Sequence, residues 1–211
     1  MNRFLKRAWA EIDLDALEHN YNEIKKLAKG KDILAVVKAN AYGHDDKAVC
    51  LKLQELGVKY YGVSNLWEGE KLRCHGITGT ILTFGYTDED YFDELLEYGI
   101  TQTAGSVQYA KQLSDYAVSK GVKLPVHIKV NTGMTRVGID SQQEMLDILA
   151  MPGLDCKAAY THFAAADSLD PSDVEYTDRQ QEKLMKIAKD KGLLIHSQNS
   201  GGIIYHGEFG G

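Results

Sequence analysis

The chain has 211 residues, 44% hydrophobic and 26% charged, enough to bury a sizeable core without disulfide or metal staples. Its net charge is −6 and no basic stripe or arginine cluster breaks that balance, which argues against a nucleic-acid partner. No apolar run reaches the roughly 18 residues of a membrane span, the basic N-terminus lacks an apolar signal core, and the three cysteines (Cys50, Cys74, Cys156) follow neither disulfide nor metal spacing, so the expectation is a soluble, cytoplasmic protein with no membrane partner.

In chain order, residues 7–13 read as a short strand with Trp9 and Glu11 on one face and Ala8, Ala10 and Ile12 on the other. Leu14, Leu17, Tyr21, Ile24 and Ala28 then recur at helical spacing, with Asp13 and Asp15 in the first turn and Gly30 as the stop. From there the pattern alternates. The uninterrupted apolar run 33–37 (ILAVV) predicts a strand buried on both faces, followed by a helix over 46–56. Strands over 59–63, 80–84, 100–104, 124–130, 154–161 and 193–197 alternate with helices over 66–73, 88–98, 106–119, 141–150 and 174–191, and 200–206 reads as a short closing helix.

Strands alternating with helices of about ten or more residues imply βαβ units and a parallel sheet. Seven such strands follow residue 30, one short of a (β/α)₈ TIM-type barrel. An open doubly wound sheet is the alternative, but its GxGxxG turn after the first strand is absent. With three prolines and no low-complexity stretch, no internal linker is evident. The expected organisation is an N-terminal strand (1–13) whose partner domain is absent and an incomplete barrel domain (14–211) lacking its eighth strand.

In a barrel of this kind the site lies at the C-terminal ends of the strands. Lys38 follows the first apolar strand, Arg136 lies in the loop after the fifth, His162 ends the sixth, and Asn199 and Ser200 follow the seventh. Partial burial of Lys38 would lower its amine's pKa and suit covalent or general-base chemistry, while a lysine snorkelling from a strand end is an equal reading from position alone. Taken singly, Arg136 reads as a solvated loop residue, His162 as a hydrogen-bonded strand-end histidine, and Asn199-Ser200 as either a helix cap or an anion site. His44-Asp45-Asp46 offers no metal-ligand spacing, and no metal is expected.

The segment Val37-Lys38-Ala39-Asn40-Ala41-Tyr42-Gly43-His44 resembles the signature of the alanine racemase family, whose lysine carries pyridoxal 5'-phosphate covalently. Asp45 stands where the family usually has glycine. Further resemblances follow in order. Lys129-Val130-Asn131-Thr132-Gly133-Met134-Thr135-Arg136 resembles the segment whose arginine approaches the cofactor's phenolic oxygen, with Asn131 in place of a common aspartate. Thr161-His162-Phe163-Ala164 resembles the segment whose histidine packs on the pyridine ring, and Asn199-Ser200 the phosphate-binding pair. By the same resemblance Tyr42 contacts the phosphate, and Lys129 occupies a position that is carbamylated in some members and buttresses the arginine.

The resemblance implies racemisation of a small amino-acid substrate, most readily alanine, from L to D. It also implies that a later arginine-bearing strand and a β domain complete the enzyme, the latter supplying a second base across a homodimer interface. The expectation is therefore a cofactor-binding part that racemises poorly by itself. Rival readings are a non-catalytic single-domain protein binding the same cofactor, or another barrel-type enzyme using it, such as an amino-acid decarboxylase or a D-amino-acid aldolase.

Overall fold

The computed structural model describes residues 8–207. Helix α1 (Leu14–Leu27) begins where the Asp13 carboxylate accepts the backbone N–H groups of Asp15 and Ala16, both at 2.9 Å, satisfying two donors that the first helical turn leaves unpaired. Seven strands follow: β1 (Leu34–Val36), β2 (Tyr60–Val63), β3 (Thr80–Thr83), β4 (Ile100–Ala104), β5 (Leu124–Lys129), β6 (Leu154–Tyr160) and β7 (Leu194–His196). They are joined by α2 (Lys38–Gly43) and α3 (Asp46–Glu55), α4 (Leu66–Cys74), a 3₁₀ turn (Glu89–Tyr91) running into α5 (Phe92–Glu97), α6 (Val107–Ser119), α7 (Gln142–Leu149) and α8 (Pro171–Ala188), with α9 (Ser200–Tyr205) after β7.

Every neighbouring pair of strands is parallel and the sheet order is sequential, β1 to β7. A sequential parallel order with a helical return after each strand curls the sheet toward a barrel. Among the described residues β1 and β7 have one neighbour each, so the barrel is open between them.

Alternation along the strands divides the side chains between two environments. Tyr61, Ile81, Ile100, Val126, Ile128 and Ala159 point outward and are completely buried in the helix-facing core. At roughly 1.5–3 kcal/mol per fully buried aliphatic side chain, this layer is the main source of stability. The opposite parity points into the barrel and is polar on the later strands, with Thr103 on β4, His127 and Lys129 on β5, Tyr160 on β6 and His196 on β7. Gly62 faces inward on β2 because the Phe84 ring fills that space; a Cβ there would lie 2.6 Å from Phe84 Cζ.

Three expectations are corrected. Of the strand read over 7–13, Arg7 lies outside the described residues and 8–13 form no strand, since among the described residues no strand pairs with them. The run 33–37 is not buried on both faces: Leu34 and Ala35 are half-buried and Val36 is 39% exposed, because β1 is an edge strand. Helix α8 starts three residues before the expected Val174, as Pro171 fits the first helical position and Asp170 caps the N–H of Ser172 at 2.9 Å.

Candidate active site

Lys38, half-buried, follows β1 directly and opens a feature the hydrophobic pattern did not predict. Ala39, Asn40, Ala41 and Tyr42 have φ of 53°, 57°, 52° and 55° and form a turn of left-handed helix. Left-handed backbone costs an L-residue roughly 1–2 kcal/mol, so four in a row persist only when their surroundings hold them.

The holds are specific. Val37 N–H donates to Gly62 O at 2.8 Å, the last rung between β1 and β2, and Ala41 N–H donates back to Val37 O at 2.9 Å. Ala39 N–H donates to Glu68 Oε1 at 2.8 Å. Asn40 Oδ1 accepts from Asp46 N–H at 3.1 Å and from Lys71 Nζ at 3.4 Å, and Lys71 also pairs at 2.9 Å with the buried Asp46 carboxylate. Asp45, in the usual glycine position, takes φ 67° and caps α3 by accepting Ala48 N–H at 3.1 Å. Tyr42 is exposed, its ring centroid 5.9 Å from Lys38 Nζ.

The loop after β5 carries Arg136, which is exposed. Its path is set by Asn131, whose Oδ1 accepts the N–H groups of Gly133 at 3.3 Å and Thr135 at 3.0 Å. Gly133 has φ 146° and packs under Tyr176, whose hydroxyl donates to Gly133 O at 3.0 Å, leaving no room for a side chain. The Thr132 and Thr161 hydroxyls lie 2.7 Å apart and join this loop to the end of β6. Gln180, completely buried on α8, donates to Thr132 Oγ1 at 3.1 Å and His162 O at 3.4 Å, and accepts Ala164 N–H at 2.9 Å. One side chain thereby ties the arginine loop to the histidine segment.

The site is strongly cationic. Lys129, buried on β5, has its amine pushed down to about 8 by burial and by the nearby Arg136 guanidinium; it donates to Val130 O at 2.9 Å and lies over the Tyr160 ring at 5.5 Å. Burial, then Arg136, Lys129 and Lys38 in turn, lower the pKa of His162 and favour its neutral form. The charges of Arg136, Lys129 and Lys38 thus all act on His162. Among the described residues no carboxylate forms a salt bridge with Lys38 or Arg136, and the negative charge that interacts with Lys38 is the Glu68 carboxylate beside the turn.

Below it, the Tyr160 ring stacks on His196 at 4.7 Å with 3° between planes, Tyr160 Oη meets Thr103 Oγ1 at 2.8 Å, and His196 Nε2 lies 3.1 Å from His127 Nδ1. Burial holds the pKa of His127 near 4 and that of His196 near 3, so both are neutral at pH 7.

Asn199 caps α9 by accepting Gly202 N–H at 2.9 Å, and its Nδ2 reaches Phe163 O at 3.5 Å, beside His162. Ser200, exposed in the first turn, makes no hydrogen bond with the Lys38 cluster. Glu68, Lys71 and Gln180 were not among the predicted site residues. Asn65-Leu66-Trp67-Glu68 has the spacing of a helix capping box, and Asn65 does accept Glu68 N–H at 3.1 Å. The Glu68 carboxylate, however, turns to Ser64 and Ala39 instead of back to Asn65.

Residues 12–210 match the model of the family described as alanine racemase, N-terminal domain. The alanine racemase of Clostridium perfringens is 39% identical over 97% of this chain and 55% of its own length, and that of Methanococcus maripaludis is 37% identical over 95% and 56%. Among solved structures, alanine racemase of Clostridium difficile 630 superposes with a TM-score of 0.90 at 33% identity, covering 98% of this chain and 56% of that one. A histidine racemase from Leuconostoc mesenteroides superposes with a TM-score of 0.85 at 26% identity, covering 93% and 54%. The chain spans about half the length of the relatives it matches.

Proposed function

Because the chain belongs to the alanine racemase family, whose N-terminal domain it matches, we propose that it forms the pyridoxal 5'-phosphate-binding half of an amino-acid racemase, with alanine as the substrate and Lys38 as the cofactor-bearing residue. What supports this reading is that the charges of Arg136, Lys129 and Lys38 all act on His162 near the C-terminal ends of the strands. An accessible amine beside cationic groups fits an aldehyde that bears a phosphate and a phenolic oxygen.

In this reading Lys38 would hold the cofactor and Arg136 would approach its phenolic oxygen. His162, its neutral form favoured, would pack on its ring, and Ser200, Asn199 and Tyr42 would hold its phosphate. The cofactor supplies an electron-withdrawing ring that stabilises negative charge developing at the substrate's α-carbon. Lys38, once its amine is free, takes or returns the proton at that α-carbon from one face. The left-handed turn fixes the backbone just after Lys38 and so restricts where the amine can reach. Inversion requires a second base on the opposite face, which we assign to a further domain of the whole enzyme and its homodimeric partner. Lys129 would buttress Arg136 once carbamylated, and a fraction of uncharged amine at neutral pH, with pKa about 8, suits that modification.

The test is incubation with pyridoxal 5'-phosphate. Lys38→Ala should abolish the yellow chromophore of the wild-type chain, and a retained chromophore would reject the assignment. Chiral product analysis with alanine, serine and histidine then separates alanine specificity from the broader class to which the Leuconostoc neighbour points. Release of carbon dioxide or of an aldehyde would instead favour a decarboxylase or an aldolase.

A further inference from the structure

We infer that Glu68 is a positioning residue for Lys38, its carboxylate acting as an extra rung between the ends of β1 and β2 where the left-handed turn prevents the backbone from supplying one. The inference rests on the proposed role of Lys38 and names the group that fixes it.

The ordinary ladder ends at Val37 N–H to Gly62 O, 2.8 Å. Beyond it Ala39 turns left-handed and cannot pair with β2. Two donors are left at the mouth of the site, one on each strand end, and Glu68 takes both: Oε1 accepts Ala39 N–H at 2.8 Å and Oε2 accepts Ser64 N–H at 2.8 Å. The carboxylate therefore joins the residue after Lys38 to the residue after β2, from a helix whose own first turn is already capped by Asn65. Lys71, one turn along α4, holds Asn40 and Asp46, so the same helix pins the turn at two successive points.

The charge matters as well as the bonds. Burial raises the acidity constant's pKa for Glu68, but hydrogen bonds from Ser64 and Ala39 and the Lys38 ammonium outweigh it and hold the carboxyl below its usual range. The other charged or titratable groups around the turn and the amine are Tyr42, whose ring centroid lies 5.9 Å from Lys38 Nζ, the Lys71–Asp46 pair at Asn40, Lys129 on β5, Arg136 in the following loop and His162 after β6. Glu68 is thus both a clamp on the backbone and a negative charge that interacts with Lys38.

Three proteins separate these effects: wild type, Glu68→Gln and Glu68→Asp. Attachment of pyridoxal 5'-phosphate to Lys38 is followed against pH by trapping and peptide mass, and amide hydrogen exchange is followed at Ala39 and Ser64. Gln keeps the shape but offers one oxygen and sets an N–H₂ against an N–H donor. We expect E68Q to weaken attachment about tenfold and lose protection at one or both amides. Its attachment midpoint should also move along the pH axis, because the negative charge that interacts with Lys38 is removed.

E68D keeps the charge on a shorter arm, so its midpoint should stay while amide protection falls. A purely structural role would lower the melting temperature without moving the midpoint. Wild-type attachment with an unchanged E68Q midpoint and amide protection overturns the positioning role alone. If E68Q does not fold, wild-type amide protection in E68D overturns it equally. Failure of the wild type to take cofactor on Lys38 overturns the proposed function itself.

Discussion

The Thr132 and Thr161 hydroxyls meet at 2.7 Å, and that contact couples the loop bearing Arg136 to the strand end bearing His162. Gln180 completes the junction with its bonds to Thr132, His162 and Ala164. Gln180→Leu keeps the bulk but strands the Ala164 N–H without its acceptor. The expected loss is about 1–3 kcal/mol, read as a lower urea midpoint at unchanged slope, together with weaker cofactor binding. A midpoint within error of wild type would show that the junction does not depend on this side chain.

Lys129 has a folded-state pKa of about 8 against 10.5 for a free lysine. Between those values the unfolded chain binds more protons than the folded one, so stability rises as pH increases through that window. Below pH 8 the buried ammonium imposes its full cost. Lys129→Met should raise stability at neutral pH and flatten the rise between pH 8 and 10.5, measured by denaturant melts at stepped pH. The Val130 carbonyl would still accept from Thr161 Oγ1 at 2.9 Å, so the substitution leaves no acceptor stranded. A melt series retaining the rise would place its origin elsewhere.

His127 is depressed to about 4 and His196 to about 3 from 6.5. Here too the unfolded state binds more protons between the two values, and stability falls as pH drops from 6.5 toward 4. For the buried His127 alone the loss approaches about 3 kcal/mol at the acid end. His127→Asn should remove part of that acid sensitivity while leaving the His196 share. Equal sensitivity in both proteins would contradict the assignment.

The left-handed turn predicts opposite outcomes at one position. Ala39 is exposed with φ 53°. Glycine relieves roughly 1–2 kcal/mol of left-handed strain while adding unfolded-state entropy of about 0.5–1 kcal/mol, so Ala39→Gly should stabilise modestly. The β-branched Ala39→Val should destabilise by at least about 1 kcal/mol. Thermal melts ranking valine above glycine would rule out the turn.

Most of the fold was legible because hydrophobic period and turn residues agree locally. The strand over 100–104 was placed residue for residue, and the helix after Asp13 starts where its cap predicts. The resemblance of 37–44 and 129–136 points to Lys38, Lys129 and Arg136, whose charges all act on His162 in the structure. What was missed depends on long-range contact. The left-handed turn leaves no trace in hydrophobic periodicity, since none of Ala39 to Tyr42 is glycine. Glu68 carries a capping signal that points to the wrong partner, and Gln180 looks like any polar helix residue until α8 packs it beneath two loops. The edge exposure of β1 follows from its having a single neighbour among the described strands, which an apolar run cannot reveal.

The central claim is that one amine, Lys38, bonds covalently to an aldehyde cofactor. Borohydride reduction of the chain after incubation with pyridoxal 5'-phosphate, followed by proteolysis and mass mapping, tests it most directly. The account predicts a single phosphopyridoxyl group on the peptide containing Lys38. Label spread over surface lysines, or found on Lys71 or Lys129 with Lys38 unmodified, would contradict it.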